Sequence, residues 1–338
     1  MAVALLFLAA FTAEMLSGST PVLVFFTNPV SFVGNILLYG LGALLIRDLA
    51  ARRRMGWAGI LCLGAAYGIF EEGLVINTWA NPWAVPVCTI VSGVQTGLCD
   101  YSRLAGINLL WALELTSFHA IVSIAIPILL VKLAFPQRFN HPWLGRTAVV
   151  LCVLGELLAL AGGLLINFAA FRQHEQPGPY LLPYLLEIAL MGLFILTAIK
   201  LKPHPVNIAA NPVPKAWPLR LMGLILMAFL LLSPGVFQGA NLPFSMALII
   251  NLAVLAVVGW RLSAWSMRAN WGEPQKLALA SGVLGFFIIF WDPLLEIIGL
   301  AGGKPTRGTL LVALLYLVGL VVLTRRVNRR EIVRSKHD

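Results

Sequence analysis

Glu71 and Glu72 stand side by side in the apolar stretch Gly64-Ala65-Ala66-Tyr67-Gly68-Ile69-Phe70-Glu71-Glu72-Gly73, and no lysine or arginine occurs between Arg54 and Arg103. Two adjacent carboxyls in a low dielectric cannot both ionise cheaply, and such a pair suits proton exchange or general acid–base work. On a helix, Glu72, Gly68 and Gly64 share a face that another backbone can approach closely, while Glu71 projects about 100° away, above Tyr67. His119, which follows Glu114, Thr116 and Ser117, is the histidine within an apolar run; His141, His174, His204 and His337 fall in polar segments. Glu14, Glu156, Glu187, Asp292 and Glu296 also interrupt apolar runs, as do Asn35, Asn167 and Asn251. Asp292 precedes Pro293, which lacks a backbone donor and predicts a helix break at a polar position.

The elements that hold these residues follow from composition. The 338 residues are 59% hydrophobic and 11% charged, far less charge than a soluble surface needs. Stretches of about 20 apolar residues, the length that crosses a bilayer, recur near 2–17, 30–47, 57–78, 107–131, 147–169, 180–199, 219–237, 243–260, 277–299 and 308–324. The fold expected is an all-α, polytopic transmembrane helical bundle of about ten spans. The first span is short, and its pairing with the second could be a re-entrant hairpin. Residues 2–16 lack a preceding basic residue and contain Glu14, so they read as a retained helix rather than a cleaved leader.

The basic residues orient the spans. Of the 24 Lys and Arg, all but Arg103, Arg172, Lys304 and Arg307 follow the even-numbered spans. That alternation is the positive-inside pattern, with both termini cytoplasmic. The net charge of +10 is therefore an insertion signal and an anionic-lipid contact. Nucleic acid is a poor partner, since there is no phosphate loop, zinc spacing or basic stripe. A prokaryotic plasma (inner) membrane is the expected location. Residues 1–202 form a six-span unit, 203–218 a Pro-rich cytoplasmic linker, 219–325 a four-span unit and 326–338 a basic tail. Spans 1–3 and 7–9 share an order of proline-bearing loop, mid-span Asn35 or Asn251, terminal Arg47 or Arg261, then acids, which predicts a parallel internal repeat.

Depth gathers the acids. At 1.5 Å per residue, Glu71, Glu72, Glu114, Glu187 and Asp292 lie about 10 Å below the outer ends of their spans; Glu296 and Glu14 lie nearer the surface, and Glu156 and His119 nearer the midplane. The expectation is an outward-facing carboxylate pocket, with Glu71, Glu72, Glu114, Glu187, Asp292, Glu296, Asn35 and Asn251 as candidate solute- or ion-binding residues. The long segment Trp79–Gly106 joins the helices of Glu71/Glu72 and Glu114/His119 and suits a cap over that pocket. It carries Cys88 and Cys99, candidates for a disulfide outside the cytoplasm. Cys62 and Cys152 read as packing residues. No cofactor is expected, and one intramembrane histidine excludes a two-histidine metal site.

A Glu-Glu pair in one span and a histidine in the next resembles the glutamate-dependent intramembrane proteases of the CAAX-processing and bacteriocin-processing superfamily (CPBP, Abi). Those proteins carry Glu-Glu-x-x-x-Arg, Phe-x-x-x-His and His-x-x-x-Asn/Asp. Glu71-Glu72 matches the start of the first motif, with Ile76 at the arginine position. His119 matches the second, with Leu115 at the Phe position and Phe118 adjacent. The third motif is absent, and Asn167 stands in only for its last residue. The resemblance implies that Glu71 or Glu72 activates water while His119 holds that water or the oxyanion. Three functions are thus open: binding or transport of a small solute or cation, with proton coupling, as the leading expectation; an intramembrane protease acting on a membrane peptide; and a non-catalytic assembly or scaffold. Membrane lipids are partners in each.

Overall fold

The computed structural model describes residues 1–81, 88–91, 94–97, 101–139, 141–173, 181–201, 213–268, 270–298 and 307–334. Its helices are α1 Ala2–Met15, α2 Val22–Thr27, α3 Pro29–Arg52, α4 Trp57–Val75, α5 Leu109–Ala134, α6 Arg146–Gln173, α7 Leu181–Lys200, α8 Ala216–Gly239, α9 Phe244–Ser266, α10 Glu273–Glu296 and α11 Thr309–Arg334. Among the described residues, nine helices, α3 to α11, are long and apolar enough to cross a membrane. The protein is an all-α, multi-pass helical bundle.

The first expected span is the short one, ending where Gly18 adopts a φ of 75°. Met1 and Ala2 nonetheless line a cavity with His141, Pro142 and Trp143 at the basic end. At the other extreme, Gly18 sits against Leu295 near the far end of α10. α1 therefore runs between the two ends of the bundle and is not a shallow hairpin. α3 starts cleanly because the Asn28 side chain accepts hydrogen bonds from the amides of Val30 and Ser31, with Pro29 at the first helical position.

α4 and α5 are the most enclosed spans. α4 packs along α5 and α7 and also meets α3 and α6; α5 meets α1, α3, α8 and α10. One apolar cluster extends from Leu5 to Val327, so the expected six-span and four-span units form a single core. The two copies of the expected repeat pack differently. α1 lies mainly on α3, whereas its counterpart α8 lies along α10. The shared sequence order sets where polar residues fall along each helix, but side-chain size sets which helix each one meets. α11 continues as helix through the expected basic tail to Arg334, since nothing there stops a helix. Arg330 Nη1 donates to the Leu133 carbonyl (2.8 Å), tying that extension to the end of α5.

Two antiparallel hairpins interrupt the all-helical expectation between α4 and α5. Cys88–Val91 (β1) pairs with Val94–Gly97 (β2), and Arg103–Leu104 (β3) pairs with Ile107–Asn108 (β4). Thr89, Ile90, Val91, Val94 and Thr96 are β-branched and favour the pleat. Ala105 and Gly106, both with positive φ, make the second turn. Cys88 is in register with Gly97; Cys99 lies outside the described residues, as does most of the linker, which ends before α8 begins at Ala216.

Glycines set the closest helix approaches. A Cβ on Gly282 would stand 2.0 Å from the Arg220 carbonyl oxygen, and one on Gly223 2.3 Å from that of Leu279. Overpacking of this kind costs about 1–3 kcal/mol. Gly282→Val should therefore lower the thermal unfolding midpoint by several degrees, while Gly259→Val, into open space, should leave it unchanged.

Candidate functional site

The aligned glycines of α4 decide where the site forms. A Cβ on Gly64 would meet the Ala120 backbone at 2.9 Å, and one on Gly68 the His119 Cβ at 3.0 Å. The Gly64/Gly68 face therefore lies against α5, at the depth of His119. Gly42 does the same for α3, since a Cβ there would meet the Tyr67 ring at 2.2 Å. Tyr39 and Tyr67 are thereby drawn together beneath the carboxyls, with ring centroids 6.3 Å apart.

Both glutamates reach the histidine. His119 Nε2 lies 3.1 Å from Glu71 Oε2 and 3.3 Å from Glu72 Oε1. An ideal α-helix would point Glu71 elsewhere. Here Ile69–Val75 is wound as a π-helix, whose wider turn brings consecutive side chains closer around the axis. His119–Ala125 is likewise π-helical.

Hydroxyls secure the other side of each group. Tyr39 Oη donates to Glu71 Oε1 (2.9 Å), and Thr78 Oγ1 donates to Glu72 Oε2 (2.5 Å). His119 Nδ1 is 2.9 Å from Ser123 Oγ. Trp111 Nε1 donates to Thr78 Oγ1 at 3.0 Å, and the Tyr39 ring stacks on the imidazole at 5.8 Å. Glu71 is 2% exposed, whereas the Glu72 side chain keeps 13% of its surface. Just beyond α4, Trp79 is buried against Ile69, Ile107 and Ala112. The described part of the loop thus covers the site from one end.

The remaining expected site residues divide. Glu114 is buried and interacts electrostatically with Glu72. Glu187 of α7 packs on Gly73, where an added Cβ would stand 3.1 Å from its carboxyl carbon, and neither of its oxygens accepts a hydrogen bond. Asn35 is half-buried, one turn from Tyr39, and donates to Ser31 Oγ at 3.4 Å. Asn251 ties α9 to α8, accepting from Ser233 Oγ at 3.0 Å and donating to the Ala247 carbonyl at 2.9 Å. Its partners lie on those helices and not in the cluster.

Asp292 and Glu296 form a second grouping. Glu296 accepts from Thr309 Oγ1 (2.9 Å) and the Leu310 amide (2.8 Å), capping α11. Asp292 is fully buried and neither carboxyl oxygen accepts a hydrogen bond. The helix break expected at Pro293 does not occur. A π segment, Phe287–Trp291, precedes Asp292, so the proline falls in the opening turn of a new helical stretch, where its missing donor matters least.

Sequence reasoning passed over Tyr39, Thr78 and Ser123, single hydroxyls in apolar surroundings. The one legible signal was Ser123, four residues after His119 and thus on its face. Glu14 also approaches: it sits in a π segment of α1 that packs on that of α5, accepts from Thr20 Oγ1, and interacts electrostatically with Glu71 and Tyr39.

The cluster can share a proton among three groups, polarise a water, or hold a cation at the point its free atoms face. Direct contact between the helices has a thermodynamic signature. In a double-mutant cycle, Glu72→Gln and His119→Ala should show a coupling of about 0.5 kcal/mol or more in unfolding free energy; strict additivity would mean the two side chains do not meet.

Comparison with curated proteins and with solved structures gives no match. The model of one protein family matches residues 3–336. The chain therefore belongs to that family, which is described as an uncharacterized membrane protein family.

Proposed function

We propose that the chain is an intramembrane hydrolase of the glutamate-dependent kind, acting on a peptide bond presented within or at the edge of the bilayer. The carrying observation is the meeting of the His119 Nε2 atom with carboxyl oxygens of both Glu71 and Glu72 inside an apolar bundle. Glu72, the less buried of the pair, is the base: it takes a proton from water, and the oxygen attacks the carbonyl carbon. His119, steadied by Ser123, donates from Nε2 to the developing oxyanion. Glu72 then returns its proton to the leaving amine. Glu71, held by Tyr39, orients the imidazole. The CPBP resemblance supports this division of roles, although Ile76 and Leu115 depart from that pattern. The basic-residue asymmetry supports a plasma-membrane orientation with both termini cytoplasmic and the site towards the outer half.

Purified protein in liposomes, presented with a library of transmembrane-segment peptides, should generate new peptide termini by mass spectrometry. Glu72→Gln and His119→Ala should each reduce cleavage by at least ~100-fold, the usual weight of an acid–base group. Cleavage undiminished in Glu72→Gln, or none by the unaltered protein, would overturn the reading.

One observation favours proton-coupled solute transport as a second reading: the buried carboxyls of Glu187 and Asp292 accept no hydrogen bond, a state suited to proton carriers. On that reading Asp292→Asn abolishes pH-driven uptake in liposomes while leaving peptide cleavage intact. Uptake unchanged in Asp292→Asn removes it.

A further inference from the structure

Three segments close around Asp292, away from the Glu71–Glu72–His119 cluster. Trp291 Nε1 donates to the Ser17 carbonyl (2.8 Å), and a Cβ on Gly18 would stand 2.4 Å from Leu295 Cδ1. The turn after α1 therefore packs on α10 just before and just after Asp292. From α11, Thr309 Oγ1 donates to the Asp292 main-chain carbonyl (3.4 Å), and Tyr316 interacts electrostatically with the Asp292 carboxyl. That carboxyl is fully buried, and no donor or acceptor lies within hydrogen-bond distance of either oxygen.

Counting protons shows what the carboxyl lacks. Thr12 of α1 gives its proton to the Leu8 carbonyl (2.6 Å), so in its 2.7 Å contact with Tyr316 it accepts and Tyr316 donates. The phenolic proton is thereby committed, and Tyr316 has only lone pairs left for Asp292. Glu296 already accepts from Thr309 Oγ1 and the Leu310 amide, so the unanswered charge is that of Asp292. Among the described residues no lysine, arginine or histidine pairs with it. A proton on the carboxyl would itself need an acceptor at hydrogen-bond distance, and neither oxygen has one. Hard cations, by contrast, take oxygen ligands and hold them further apart than a hydrogen bond does.

We infer that Asp292 and Tyr316 hold one monovalent alkali cation where α1, α10 and α11 meet. A single charge fits a single unanswered carboxylate, whereas a divalent ion would leave an excess charge in the apolar bundle. Helix ends and carboxyls at membrane depth are the usual ligands of such ions. Thr12 and Glu14 share the π segment of α1, so the ion also steadies the turn from which Glu14 approaches Glu71. The inference does not rest on the hydrolase reading. For the transport reading, it sets an alkali cation where that reading has a proton.

The test is the thermal unfolding midpoint of the full chain in detergent, at fixed pH and ionic strength, with NaCl or KCl exchanged for choline chloride. Na⁺ or K⁺ should raise the midpoint saturably by several degrees over choline. Asp292→Asn should abolish that response. Tyr316→Phe, which keeps the carboxylate, should raise the cation concentration needed for half the effect several-fold, and Glu156→Gln on α6 should leave it unchanged. An equal midpoint in choline and in both alkali salts overturns the proposal, as does a response that survives Asp292→Asn. If Asp292→Asn fails to fold, Tyr316→Phe decides: a half-effect concentration equal to that of the unaltered protein overturns it. A midpoint that rises on acidification but ignores both alkali ions also overturns it, and keeps the proton carrier of the transport reading. None of these readouts involves peptide cleavage, so their failure leaves the hydrolase standing.

Discussion

Two consecutive carboxyl groups inside an apolar bundle are costly unless protons, hydroxyls or cations meet their oxygens, because a bare carboxylate there loses its hydration. The packing of α3, α4 and α5 serves that requirement. Gly64 and Gly68 let α5 come close enough for His119 to reach both glutamates, and Gly42 makes room for Tyr67 beside Tyr39. A larger side chain at any of these glycines would move a polar partner and leave an oxygen unanswered. The site and the close helix contacts are thus one arrangement.

The π-helical turns are the local means. Among the described residues they occur at Phe11–Met15, Ile69–Val75, His119–Ala125 and Phe287–Trp291. Three contain Glu14, the Glu71/Glu72 pair and His119, and the fourth runs directly into Asp292. Two of them end just ahead of Ile126-Pro127 and Asp292-Pro293, so the same rewinding that re-aims a polar side chain also admits a proline without breaking the span. An inserted residue of this kind is destabilising in isolation and persists where the surrounding packing requires it.

At the basic end a different polar arrangement closes the bundle. Arg47 is 1% exposed, with its guanidinium 3.4 Å from the Trp143 ring centroid, and it donates to the Phe139 carbonyl. Asp48 accepts from the amides of Trp143 (2.7 Å) and Leu144 (3.0 Å) and from Arg52 Nε at 2.6 Å. Here charges meet opposite charges and backbone donors, so this end resembles an ordinary protein surface tucked inward. The Glu71–Glu72–His119 cluster has a histidine and three hydroxyls instead.

By itself the sequence determined the multi-pass helical architecture, because an apolar run of bilayer length is a property of a single segment. It also marked Glu71, Glu72 and His119 as costly residues, and it placed Gly64 and Gly68 on one face that another helix could approach. Which costly residues meet was decided only by the tertiary structure. Glu71, Glu72 and His119 converge, Asn251 stays with α8, and Asp292 and Glu296 gather at α11, because adjacency depends on how glycine grooves and bulky side chains of different helices interlock. The π turns were hidden for the same reason. A register shift within a helix is imposed by its neighbours, and it decides which atom of a side chain, one residue either way, faces the centre of the site.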